Sequence, residues 1–139
     1  MMWVIDTSAL IRLFVPDGPI HPEVEIALNQ ATSGASVVFA PQLILVEAAN
    51  VLLRKRRRGE LSTQELGEML QAVKSLPIRL CDHEALLLPA CALAEAYNLS
   101  AYDALYLALA EQHGARLITN DEALNKVAHM VGLASSQPT

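Results

Sequence analysis

Short apolar runs of four or five residues, set between helix-length stretches, are the feature that most limits what this chain can become. Met2 to Ile5 is the first such run, and it ends at Asp6. Ser36 to Ala40, Ile78 to Cys81 and Arg116 to Thr119 follow, and Met130 to Ala134 is a short last one. Runs of this length bounded by turn residues read as strands. The stretches between them read as helices. Thr7 to Phe14 is short and is broken by Pro16, Asp17, Gly18 and Pro19, and Pro22 to Ala31 is stopped by Gly34. Pro41 opens a long helix to about Arg58, ended by Gly59. Ser62 with Glu65 is a capping-box signature for a helix to about Leu76. Glu84 to Tyr97 carries Pro89 in an early turn or at a kink. Ser100 caps a helix to His113, closed by Gly114, and Asp121 starts the last one, to about His129.

Strands alternating with helices predict an α/β fold, with a short parallel sheet of four or five strands covered by helices on both faces. The 139 residues are enough for one domain. We place it at 1–134, with a tail at 135–139. Hydrophobic residues make up 53% of the chain, which excludes disorder and makes a second copy or another partner an expected cover for apolar surface. The helices over 41–53 and 85–110 carry that expectation, as a homodimer. No membrane span is expected. The longest uncharged stretch, Ile26 to Val46, contains Asn29, Gln30, Gly34 and Pro41. Cys81 and Cys91 form no paired motif and are expected in the core, so a reducing cytoplasm is the expected compartment.

In a parallel sheet the ligand site lies at the carboxyl ends of the strands. Asp6 follows the first strand and Asp121 follows the strand at 116, so both fall on that edge. Asp103 lies in the first turn of the helix opened by Ser100. Each of these has an alternative use as a helix cap or as part of a capping box. Glu47 does not. It lies inside an apolar helix, in L-I-L-V-E-A-A-N-V-L-L, with no basic residue three or four positions away. A buried carboxylate without a partner is costly, and a cation is the simplest compensation. Two carboxylates ~5 Å apart repel by about 3 kcal/mol at an effective dielectric of about 20. Four converging acids would therefore take up protons or bind a divalent metal. Oxygen ligands alone point to Mg2+ or Mn2+. Thr7, Ser8 and Asn120 stand beside the acids, as further oxygen donors or as caps.

Four segments in order, V-I-D-T-S-A-L at 4–10, V-E-A-A-N-V-L at 46–52, L-S-A-Y-D-A-L-Y-L-A-L-A at 99–110 and L-I-T-N-D-E-A-L at 117–124, resemble the PIN-domain family and within it the VapC-type toxins of toxin–antitoxin pairs. The resemblance spans nearly the whole chain. It implies a parallel-sheet nuclease with Asp6, Glu47, Asp103 and Asp121 around Mg2+ or Mn2+, RNA as substrate, and a cognate antitoxin as partner. Leu124 stands where members often place an aromatic, which leaves the acidic set intact.

The formal net charge is -5, which taken globally disfavours nucleic acid. Half of the ten basic residues, however, form one run, Arg54-Lys55-Arg56-Arg57-Arg58. It is either a solvated helix end, where cations suit the macrodipole, or a phosphate-binding patch for RNA. Tyr97, Tyr102 and Tyr106 read as packing residues. His113 reads as a helix C-terminal cation, and the four histidines show no metal-ligand spacing. Three other functions compete. A haloacid-dehalogenase-type phosphatase needs a second Asp where Ser8 stands. A phosphorelay receiver would have to use Asp82. A catalytically silent binding module would use the acids only as caps, and Glu47 speaks against it.

Overall fold

The computed structural model describes residues 1–135. The expected tail at 135–139 lies, apart from Ser135, outside the described residues. Among the described residues, four strands are formed: β1 (Met2–Ile5), β2 (Val37–Pro41), β3 (Arg79–Cys81) and β4 (Arg116–Ile118). They build one parallel sheet in the order β3-β2-β1-β4. Parallel neighbours need long crossovers, and the helices supply them. These are α1 (Thr7–Leu10), α2 (Pro22–Ser33), α3 (Leu43–Arg57), α4 (Thr63–Lys74), α5 (Leu87–Tyr97), α6 (Ala101–His113) and α7 (Glu122–Met130). Successive residues of a strand point to opposite faces, and Trp3, Val4 and Ile5 are all buried. Both faces of β1 are therefore covered. Helix α6 is buried without a break from Ala104 to Ala110, because it lies between the sheet and α5. That explains its lack of a polar stripe.

The caps follow their local chemistry. Ser62 and Glu65 form the complete capping box on α4. Gly34 and Gly114 end α2 and α6 in the left-handed conformation that residues with a Cβ resist. Pro89 falls in the first turn of α5, where its missing N–H costs nothing.

Four expectations are corrected. Pro41 does not open a helix. It is the last residue of β2, opposite Cys81, and α3 begins at Leu43. A strand end tolerates Pro because the next amide, Gln42 N–H, makes the bond to Cys81 O instead. The stretch from Thr7 to Phe14 is four residues of α-helix and then a 3-10 turn, Ile11–Leu13. Glu84–Leu86 is likewise a 3-10 turn ahead of α5. Met130 to Ala134 is not a strand. Met130 ends α7, Gly132 turns the chain at φ +77°, and only Ala134 bridges to Leu117, in parallel beside β4. No described helix is long and apolar enough to cross a membrane.

One property of the strand order positions everything that follows. From β1 the chain moves to β2 and β3 on one side, then returns to β4 on the other. The reversal leaves a crevice between the carboxyl ends of β1 and β4, where α/β sheets open toward ligands.

Candidate active site

Asp6 is the first residue past β1 and the N-cap of α1. Its Oδ1 accepts from Ala9 N at 3.0 Å and from Ser8 Oγ at 2.8 Å, and its Oδ2 accepts from Thr119 Oγ1. Thr119 follows β4, so the two sides of the crevice are tied together by a buried hydroxyl. Ser8 Oγ also accepts from Asn120 N at 2.9 Å, and Thr119 Oγ1 accepts from Asp121 N at 3.0 Å. Asp121 caps α7 through Oδ1, which accepts from Leu124 N at 2.8 Å. Asp6 and Asp121 are thus caps and pocket residues at once, because a cap uses one carboxylate oxygen and the end of a strand decides where the group sits.

The other two acids come from helices. Ser100 Oγ caps α6 by accepting from Asp103 N at 3.1 Å. The side chain of Asp103 lines the pocket, where the Ser100 hydroxyl acts on its carboxylate against the effect of burial. Glu47 projects from α3, and its Oε1 accepts from Thr7 Oγ1 at 2.9 Å and from the Tyr106 hydroxyl. The expected burial of Glu47 is corrected here. It is half-buried, because α3 leaves one flank in solvent, where Val46 is 66% exposed. Part of the expected compensation comes from those two hydroxyls.

Asp6, Thr7, Ser8, Glu47, Asp103 and Asp121 line one pocket of about 240 Å3, with Ile11, Val51 and Tyr106 as its remaining wall. All four expected acids are brought together there, from four different elements. Among the described residues, no Lys or Arg lines the pocket. The electrostatics follow. Burial pushes Asp6 up to about 6, against the pull of the Thr119 and Ser8 hydroxyls and the Ala9 amide, and the charge of Asp103 pushes the same way. Asp103 is raised by burial and then by Asp121 and Glu47. Burial and the nearby Glu47 carboxylate raise Tyr106 far above the ordinary phenol range, so it remains a donor.

Among the described residues, no three acidic, histidine or cysteine side chains are grouped closely enough to hold a metal ion as they stand. The donor chemistry nevertheless fits a hard divalent cation. It is all oxygen, and two of its carboxylates are pushed toward protonation by burial and by neighbouring acids.

The supporting residues divide. Thr7 and Ser8 line the pocket, but Asn120 does not. Its carboxamide donates to Pro19 O at 3.3 Å, and only its backbone N–H serves the site. Two residues were missed from sequence, Thr119 and Tyr106. Thr119 sits after β4 as Asp6 sits after β1, and Tyr106 lies one helical turn past Asp103. Those positions were the available signal. Tyr106 is buried as expected of a packing residue, but its hydroxyl reaches Glu47. Tyr102, expected to pack, is exposed, as is Cys91. His113 stacks on Phe39, with ring centroids 4.1 Å apart.

The basic run occupies the end of α3, two turns beyond Glu47. Its members do not share one environment. Lys55 is buried, with Nζ 2.6 Å from Asp17 Oδ2 and 3.6 Å from Glu60. Lys55 thereby holds the Asp17 carboxyl below its ordinary value. Arg56 Nε donates to Thr63 Oγ1, and Arg54, Arg57 and Arg58 are exposed.

Comparison with known proteins agrees with this architecture. The PIN domain family profile matches residues 3–130. Ribonuclease VapC3 of Pyrobaculum aerophilum is 34% identical over 128 residues, covering 89% of this chain and 92% of that protein. Ribonuclease VapC3 of Mycobacterium tuberculosis is 28% identical over 132 residues, covering 93% and 91%. Among solved structures, PAE2754 from Pyrobaculum aerophilum superposes with a TM-score of 0.70 at 22% identity, covering 98% of this chain and 97% of that one. The sarcin-ricin-loop-cleaving toxin VapC20 of Mycobacterium tuberculosis gives 0.62 at 18%, covering 98% and 99%. At such identities these two show the shared fold.

Proposed function

This chain belongs to the PIN-domain family, and we propose that its acidic pocket is the active site of a divalent-metal-dependent endoribonuclease, the toxin of a toxin–antitoxin pair. One observation carries the reading: four acids from β1, α3, α6 and the β4 edge meet in one pocket at the reversal of strand order. The ribonuclease names of its relatives supply the substrate class.

Asp6, Glu47, Asp103 and Asp121 would hold Mg2+ or Mn2+. Such an ion, when bound, makes water nucleophilic near neutral pH and offsets charge on phosphoryl oxygens. The chain's own residues prepare the place. Ser8 and Thr119 fix both oxygens of Asp6. Thr7 and Tyr106 fix one oxygen of Glu47. Ile11 and Val51 give the pocket a dry wall beside its acids. An acidic pocket repels a polyanion, so cations must draw the RNA in. Exposed at the end of α3, Arg54, Arg57 and Arg58, with Arg56 beside them, would contact phosphates two turns from Glu47. Lys55 serves the fold instead. The exposed Val46, Leu53, Leu87 and Leu88 lie in the two apolar helical regions and suit a homodimer and a cognate antitoxin, in the cytoplasm.

Purified protein should degrade labelled RNA in manganese, stop on addition of a chelator, and lose the activity in Asp6→Asn. Persistent cleavage in excess chelator would remove the metal, and full activity in Asp6→Asn would remove the site. Replacing Arg54, Arg57 and Arg58 by Gln should flatten the slope of log affinity against log salt by about 0.7 per lost contact. An unchanged slope makes the run a solvated helix end.

A further inference from the structure

The Tyr106 hydroxyl is not explained by packing. The ring is buried among apolar residues of α6, and a Phe would fill the same space. A buried tyrosine needs a partner for its hydroxyl, and partners are available in any fold. Here both neighbours of that hydroxyl belong to the pocket. It donates to Glu47 Oε1, and Thr7 Oγ1 lies 3.0 Å away. Thr7 donates to the same Glu47 oxygen at 2.9 Å. Two donors from two elements therefore converge on Oε1, while Oε2 has no hydrogen-bond partner among the described residues. A glutamate on a half-exposed helix face would otherwise sample several rotamers, and ordering it on binding costs entropy.

We propose that Tyr106 is a positioning residue that, together with Thr7, clamps one oxygen of Glu47 and presents the other to the metal. This rests on the reading of Glu47 as a metal-holding acid. Tyr106 also lies three residues after Asp103, on the same side of α6. One helix face thus supplies an acid to the pocket and the tether for a second acid borne by α3. The arrangement couples the two helices across the pocket floor.

The test is a manganese titration of the full chain by calorimetry, with the melting temperature of the metal-free protein as the control for folding. Wild type, Tyr106→Phe, Glu47→Gln and the double variant complete a cycle. Removing an outer partner of a metal ligand costs about 10–100-fold in affinity. Tyr106→Phe should weaken manganese binding by about 10-fold or more and melt near the wild-type temperature. In the Glu47→Gln background the same change should have almost no effect. Wild-type affinity in Tyr106→Phe, with affinity lost in Glu47→Gln, overturns the clamp and leaves the metal reading intact. An equal loss with and without Glu47 overturns it too, since Tyr106 would then act through something else. Wild-type affinity in Glu47→Gln, or no uptake by the wild type, overturns the metal-holding role of Glu47 and the clamp with it. Should Tyr106→Phe melt far below wild type, Thr7→Val takes its place in the same cycle, with a smaller weakening expected and the same outcomes decisive.

Discussion

The pocket has two halves built on opposite terms. On the strand side, Asp6 and Asp121 follow β1 and β4, cap α1 and α7, and sit in a mesh of hydroxyls from Ser8 and Thr119. On the helix side, Glu47 and Asp103 cap nothing. The strand-side acids belong to the fold and to the site together. The helix-side acids line the pocket without capping a helix. Substitution on the two sides should therefore cost activity alike and stability differently.

The largest expected effect tests the likeness. Asp6→Asn and Asp103→Asn should each slow RNA cleavage by about 1,000-fold, equivalent to about 4 kcal/mol of barrier, measured in single turnover. Loss in Asp6→Asn alone would confine the chemistry to the strand side.

The next effect tests the difference. Asp6 is raised from 3.8 to about 6 in the folded protein, so the fold binds its proton more tightly than the unfolded chain does. The associated stability is complete below the unfolded value of 3.8 and is lost as pH rises through about 6. Metal-free wild type should therefore lose about 3 kcal/mol over that window. Denaturant midpoints at pH 4.5 and 7.5 capture about 2 kcal/mol of that loss, and Asp6→Asn should remove most of it. The raised Asp103 contributes with the same sign. A flat profile in the wild type would mean that Asp6 is not held at the cost its burial implies.

A hydroxyl deletion on each side compares the two meshes directly. Thr119→Val leaves the buried Asp6 short of a donor and the Asp121 amide short of an acceptor, which should destabilise by about 1–3 kcal/mol. Thr7→Val leaves Glu47 its bond to Tyr106 in a half-exposed setting, and should cost less than about 1 kcal/mol. Equal losses would erase the distinction. The caps separate the two sides once more. Asp121→Ala should cost about 1 kcal/mol through the lost bond to Leu124 N. Asp103→Ala, which removes a repelling charge and leaves the Ser100 cap in place, should cost nothing by the same thermal melt.

What the sequence disclosed tracks how local each signal is. Asp6 and Asp121 were legible because a short apolar run ending in an acid is a pattern of a few neighbouring residues. Thr119 was not, since its hydroxyl matters only once Ile5 pairs with Ile118, and nothing near either residue announces that pairing. Tyr106 reads as core and is core, so its polar tip stays hidden behind a correct reading. Lys55 was partly visible. Five successive cations fan around a helix and one must face inward. Its identity follows from the buried stripe Ile44, Ala48, Leu52 and Lys55 at helical spacing. Pro41 misled because Pro suits both a first helical turn and a strand end.

The bond between Asp6 and Thr119 joins residues 113 positions apart in the chain. It places a clock in the molecule. The ribosome adds about 5–20 residues per second, so Asp6 waits many seconds for the strand that completes its surroundings. β1 pairs with β2 on one edge and with β4 on the other, and that second edge is made only by residues 116–118. A partly made chain holds one or more of the acids without the crevice that assembles them. If the pocket is the active site proposed above, a chain released before Thr119 and Asp121 are added lacks two of its parts and should not cleave RNA.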